Sequence, residues 1–195
     1  MIKNLALTFG SETKAQEIVF LLKDIKKVVR QGFYEEELEK VKRYCEKEKL
    51  FVVKSKFKVL LTDEENYSNK GIRVKKDDKR LGMYFIYISK NEQKAWLSAY
   101  YELIGNDAAL GELLGYPGCC IKYFCDHFNE RNTNPEQKSN DIFTNISKRG
   151  EDLVLISHFP CSAECQETIS LAKNNLKILE EVDPKRTAEL ISALK

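Results

Sequence analysis

Apolar residues recur along this chain at two different spacings. Over residues 11–32, Ile18, Leu21, Leu22, Ile25, Val28 and Val29 fall three or four apart, which predicts an amphipathic helix. Ser11 or Thr13 can cap its start and Gly32 can end it. Residues 34–49, YEEELEKVKRYCEKEK, predict a second helix, acidic first and basic last as the helix dipole prefers. Cys45 falls there beside Leu38 and Val41 and reads as a small core residue. The period then shortens. Residues 50–62 are β-branched and partly alternating, and RLGMYFIYISK, 80–90, is the clearest strand signal. The polar stretch between them has room for a short strand at 71–75 in a hairpin. Together these segments predict a small, mainly antiparallel sheet.

After residue 90 the helical period returns. One helix is expected over 91–105, capped by Asn91 or Ser89. A short one follows over 106–115, with Asn106 or Asp107 as cap and Gly115 as stop. PGCCIKYFCDHFNERN, 117–132, predicts another, burying Ile121, Phe124, Cys125 and Phe128. Residues 134–150 read as a loop leading into a helix, and 152–159, DLVLISHF, as a short strand. A long helix is expected over 163–181, and Asp183 and Pro184 restart a last one. The fold class is therefore α+β: N-terminal helices with a small sheet over 1–90, then a mostly helical cysteine-bearing region over 91–195, as two regions or one continuous domain.

At 195 residues, 43% of them hydrophobic, with ten Phe and nine Tyr, the chain can build a core without disulfides or metal. Clustered cysteines then point to chemistry. No apolar run approaches the roughly 18 residues of a membrane span, and the first apolar run is too short for a signal peptide. A cytoplasmic protein is expected. In a reducing compartment, closely spaced cysteines imply metal or catalysis before disulfides. Charge is uneven within the net +2. Residues 1–98 carry 22 Lys/Arg against 15 Asp/Glu, and residues 99–195 carry 10 against 15. A basic N-terminal half suits RNA or another acidic partner, and equally a solvated Lys/Glu surface.

Two short stretches concentrate the chemistry. GYPGCC, 115–120, puts Cys119 and Cys120 at a helix start behind a stiff Gly-Tyr-Pro-Gly turn. HFPCSAEC, 158–165, places His158, Cys161 and Cys165 just before and within the next helix start, with Ser162 as its N-cap. Helix N-termini favour thiolate, the form that binds metal. Adjacent Cys119 and Cys120 are expected to point apart, so that one of them joins Cys161 and Cys165, and His158 or the second thiol completes the set. Three thiolates with an imidazole, or four thiolates, both suit zinc. Three or four thiolates also suit an iron–sulfur cluster. A metal-free thiol redox or sulfur-relay site, and plain core packing, are the alternatives. His127 reads as a surface residue or one that supports the ligands from behind, not as a ligand. Carboxylates Asp126, Glu164 and Glu167 lie close enough in sequence to serve a metal-bound water.

These residues resemble an uncharacterised, mostly archaeal group, the domain-of-unknown-function family 483. The likeness rests on LGYPGCC-x3-F and H-x-P-C-S-x2-C-x4-S-x-A within residues 111–172. It marks Tyr116, Pro117, Cys119, Cys120, His158, Pro160, Cys161, Ser162 and Cys165 as motif positions and implies no particular activity.

Elsewhere there is no Walker loop, no dinucleotide fingerprint, no HExxH and no CxxxCxxC. The stretch 70–87 mixes Lys70, Arg73, Lys75, Lys76, Lys79 and Arg80 with Tyr84 and Tyr87. Its cations can track phosphates and its tyrosines stack a base, or the whole can be a solvated hairpin. Lys54, Lys56 and Lys58 add to the same patch. The leading expectation is a cytoplasmic zinc or iron–sulfur protein, with an enzyme of RNA or sulfur metabolism as one form. A nucleic-acid or protein adaptor with a structural metal is the other class.

Overall fold

The structure, a computed structural model, describes residues 1–61, 71–129 and 131–194. Lys70 of the basic stretch lies outside the described residues. Helix α1, Ile2–Phe9, ends at Gly10, whose φ of 82° only glycine adopts cheaply. Helix α2, Glu12–Leu22, starts at Ser11, whose hydroxyl accepts from the Lys14 N–H. The helix expected to run on to Gly32 stops at Leu22 instead. Asp24 turns left-handed at φ 62°, and the β-branched Val28 and Val29 enter strand β1, Val28–Phe33. Helix α3, Leu38–Lys47, follows a single tight turn at Glu35–Glu37 and buries Leu38, Val41 and Cys45. Strands β2, Phe51–Lys54, β3, Phe57–Leu61, β4, Gly71–Lys75, and β5, Tyr84–Ser89, come next. Asn91 caps α4, Glu92–Leu103, and Asn106 caps α5, Asp107–Leu113, which ends at left-handed Gly115. The last three helices are α6, Gly118–His127, α7, Gln166–Val182, and α8, Pro184–Leu194.

The chain divides into two compact units, residues 26–115 and residues 1–25 with 116–195. The sequence-based division falls elsewhere, at residue 90, because it follows the change of period and not the packing.

In the 26–115 unit, β5 is the middle strand of an antiparallel sheet ordered β1-β5-β2. Val28 pairs with Ser89 and Phe33 with Tyr84 on one side, and Phe51 with Ser89 on the other. Ile86, Tyr87 and Ile88 are fully buried, and α4 packs on the sheet where the Tyr87 hydroxyl meets Glu102. Strands β3 and β4 form a separate antiparallel pair, joined to the β5 approach by a bridge between Val59 and Met83. Glu102 on α4 is buried. It accepts from the Tyr87 hydroxyl at 2.6 Å and takes a two-armed ion pair from Arg30.

In the other unit α1 and α2 pack together, α7 and α8 pack together, and α2 meets α7. Ile2, Phe9, Ile18, Leu21, Ile146, Leu155, Leu179 and Leu190 form its core. Arg186 is 3% exposed, ion-paired to Glu12 and Glu189, and donates to Gln16 Oε1 and to the Asp152 carbonyl.

Two expectations for 134–159 are overturned. The loop leads into a single 3-10 turn at Arg149–Glu151, not a helix. Residues 152–159 form no strand, although Val154, Leu155 and Ile156 are buried. Side chains replace the ladder: Gln16 donates to the Val154 carbonyl at 3.1 Å and Asn175 to the Leu155 carbonyl at 2.8 Å.

Candidate metal centre

Pro117, with φ −59°, occupies the N-cap position of α6, and its carbonyl accepts from the N–H groups of Cys120 and Ile121. Cys119 and Cys120 therefore stand in the first helical turn. Side chains there lean back toward the helix start. Both thiols reach the same point, 3.9 Å apart, contrary to the expectation that they diverge.

The second stretch arrives without a capping serine. Cys165, not Ser162, is the N-cap of α7; the Ser162 carbonyl accepts from the Cys165 N–H at 3.3 Å, closing a turn. The Thr144 hydroxyl donates to the Ala163 carbonyl at 2.7 Å and pins that turn from outside. The Cys161 N–H donates to Cys120 Sγ at 3.4 Å. Cys165 Sγ lies 3.6 Å from both Cys119 Sγ and Cys120 Sγ.

All four sulfurs, of Cys119, Cys120, Cys161 and Cys165, fall within 4.8 Å of one another and can hold a metal ion. His158 is not in this group. It is buried, stacked at 5.2 Å on Tyr116, with Nε2 2.9 Å from Thr168 Oγ1. That hydroxyl lies 3.2 Å from Cys120 Sγ, so His158 reaches the sulfurs through Thr168. Of the other motif positions, Pro160 is buried beside Cys161, and the Tyr116 hydroxyl accepts from Ser157.

The sulfurs differ in surroundings. Cys120 and Cys165 are buried, Cys161 is half-buried and Cys119 is exposed. Burial pushes Cys120 up to about 12, against hydrogen bonds from Thr168 and the Cys161 N–H. Burial and its sulfur neighbours push Cys119 up as well. Burial would also raise Cys165, but hydrogen bonds from the Thr168 hydroxyl and backbone and from neighbouring thiols outweigh it and bring it down to about 7. Four thiols this close resist ionising together unless a cation compensates them.

Sequence reasoning missed Thr168 and Thr144. Thr168 stands one helical turn after Cys165, a spacing that could have marked it. Cys125, expected in the core, is exposed, and Ile121, Phe124 and Phe128 are only half-buried. The face of α6 that enters the interior is the one led by Cys120. Asp126, Glu164 and Glu167 are exposed, and Asp126 pairs with Lys122. His127 is exposed and stacks on Tyr123.

In the basic stretch, Arg73 lies over the Phe57 ring and donates to the Glu102 and Leu103 carbonyls. Arg80 is ion-paired to Asp78, while Lys75, Lys76 and Lys79 are exposed. Tyr84 and Tyr87 are buried, so neither ring presents a face on which a base could stack. Lys54 covers the Tyr84 ring, and Lys58 donates to the Asp78 and Arg80 carbonyls.

Among the described residues no helix is long and apolar enough to cross a membrane. No curated protein and no solved structure matches the chain. Residues 68–194, which include GYPGCC, HFPCSAEC and all four clustered sulfurs, match the family described as protein of unknown function (DUF483), and the chain belongs to that family.

Proposed function

We propose that this is a zinc protein in which Cys119, Cys120, Cys161 and Cys165 hold one ion as four thiolates, and that the ion is structural. The distances among the sulfurs carry the reading. A zinc ion with sulfurs about 2.3 Å away sets them about 3.8 Å apart at the corners of a tetrahedron. The three pairs among Cys119, Cys120 and Cys165 are 3.6, 3.6 and 3.9 Å apart. A cubane iron–sulfur cluster puts each thiolate on a different iron and needs a wider spread than 4.8 Å.

Four protein sulfurs leave no position for substrate, as in structural rather than catalytic zinc sites. The depression along α7 lined by Gln166, Glu167, Ser170, Leu171 and Asn174 is open and contains none of the four cysteines. When bound, the ion supplies charge neutralisation and a cross-link. The chain's own residues supply the thiolates, the two helix starts that favour them, and the Thr168–His158 pair behind Cys120. The ion thus ties the start of α6 to the 158–165 stretch and the start of α7.

Metal analysis with an absorption spectrum on anaerobically purified protein, beside Cys161→Ala/Cys165→Ala, tests this. Colourless protein with about one zinc per chain, lost in the variant, is expected. Brown protein containing iron and sulfide would overturn the zinc reading, and metal-free protein would overturn the metal reading altogether.

A further inference from the structure

We propose that Cys119 is the sulfur through which the four-thiolate centre reacts with hydroperoxides, with Cys165 as its resolving partner and release of the ion as the outcome. The inference rests on the metal reading above. Three observations single out Cys119. It is exposed, whereas Cys120 is 2% and Cys165 6% exposed and Cys161 is half-buried. Its surroundings differ too. Cys120 Sγ has the Thr168 hydroxyl at 3.2 Å and the Cys161 N–H at 3.4 Å. Among the described residues Cys119 Sγ has only other sulfurs beside it. Hydrogen bonds to a metal thiolate draw off its electron density, so a sulfur that takes none from N–H or O–H groups is the better nucleophile; exposure then favours Cys119 over the half-buried Cys161. A coordinated thiol is already deprotonated, so this reactivity needs no titration.

The third observation is the partner. Cys165 Sγ is 3.6 Å from Cys119 Sγ and belongs to a different element. Cys120 Sγ is 3.9 Å away and adjacent in sequence, where a disulfide strains the intervening peptide.

The chemistry balances with the hydroperoxide as the only oxidant. The Cys119 sulfur attacks the terminal peroxide oxygen. An S–O bond forms, the O–O bond breaks, and the alkoxide (hydroxide, for hydrogen peroxide) leaves with the electron pair and takes a proton from water. The Cys165 thiolate then attacks the Cys119 sulfenic acid. The S–S bond forms, the S–O bond breaks, and hydroxide leaves and is protonated. The two sulfurs give up two electrons, the peroxide becomes an alcohol and water, and the ion loses two of its four ligands.

The test uses the full metal-loaded chain carrying Cys125→Ser, so that the second exposed cysteine does not compete. Metal content is measured first. A chain without metal refutes the proposed function and this inference with it. With metal present, hydrogen peroxide is added, ion release is followed with a chromophoric chelator, and the thiols are mapped by peptide mass spectrometry. One ion released per chain, in step with a Cys119–Cys165 disulfide, is expected. Limiting iodoacetamide on the untreated protein should label Cys119 first, by about tenfold over the other three. First modification at Cys120, Cys161 or Cys165 would overturn the inference with the metal reading intact. So would an ion that stays bound while peroxide oxidises added glutathione. Cys119→Ser, where it retains the ion, should slow release about tenfold. Where it does not, the mapping on the Cys125→Ser chain decides.

Discussion

His158 Nε2 lies 2.9 Å from Thr168 Oγ1, and the same hydroxyl lies 3.2 Å from Cys120 Sγ. A hydroxyl has one proton. Given to the sulfur, it leaves the oxygen to accept from His158 Nε2–H, which fixes the imidazole tautomer. A buried histidine is thereby satisfied and a buried sulfur receives a donor in one arrangement.

Thr168→Val keeps the shape and removes the donor. We expect it to weaken metal binding by about 10- to 100-fold while leaving the helical content unchanged. Competition against a chromophoric chelator reads the affinity directly. Unchanged affinity would make the hydroxyl a packing group only.

If the ion is structural, chelation should loosen what it ties. Hydrogen exchange is expected to rise at the first turn of α6 and over residues 158–165, with a fall in Tm. The sheet β1-β5-β2 should keep its protection. Exchange that rises nowhere near the cysteines would argue against a structural ion.

Glu102 predicts an acid limb of stability. Burial alone would raise its carboxyl, but the Arg30 guanidinium and the Tyr87 hydroxyl outweigh that and hold it below the usual range. A carboxyl lowered by folding stabilises the fold above its unfolded value, about 4.3, and that contribution is lost as pH falls toward the folded value. Glu102→Gln should therefore cost about 3 kcal/mol at pH 7 and much less near pH 3, measured by urea unfolding. An equal cost at both pH values would mean that charge is not the cause.

Arg186 is the buried cation of the other unit. Arg186→Ala removes its ion pairs to Glu12 and Glu189 and its bonds to Gln16 and Asp152. A loss of about 3–5 kcal/mol is expected, with loosening of the 152–159 segment. A loss under about 1 kcal/mol would show that water replaces the network.

The legible parts of the chain are those whose signals are local. β5, the Asn91 and Asn106 caps, the Gly115 stop and the two cysteine stretches each follow from a few neighbouring residues. What is not legible depends on distant partners. Val28 and Val29 continue a helical stripe on paper, and only pairing with Ile88 and Ser89 makes them a strand. Residues 152–159 carry a short apolar run like that of a buried strand, yet Gln16 and Asn175, far away in sequence, donate to the Val154 and Leu155 carbonyls. Rotation about the helix alone sends adjacent thiols apart; the backward lean of side chains in the first turn brings them together. Thr168 carries no motif. Its place between sulfur and imidazole exists only once α7 is laid against α6.

One unit of this protein is interrupted: residues 1–25 belong with 116–195, and 26–115 lie between them in the chain. During synthesis, α1 and α2 leave the ribosome with their apolar faces made but their partners not yet translated. At about 5–20 residues per second, the roughly 90 intervening residues impose a wait of about 5–20 seconds. In that interval residues 26–115 can complete their own sheet, so the order of birth favours the inserted unit folding first. The cysteines emerge late, Cys119 and Cys120 before Cys161 and Cys165. Closure of the four-sulfur site thus follows synthesis of the inserted unit, and the nascent chain can complete its sheet before it can hold an ion.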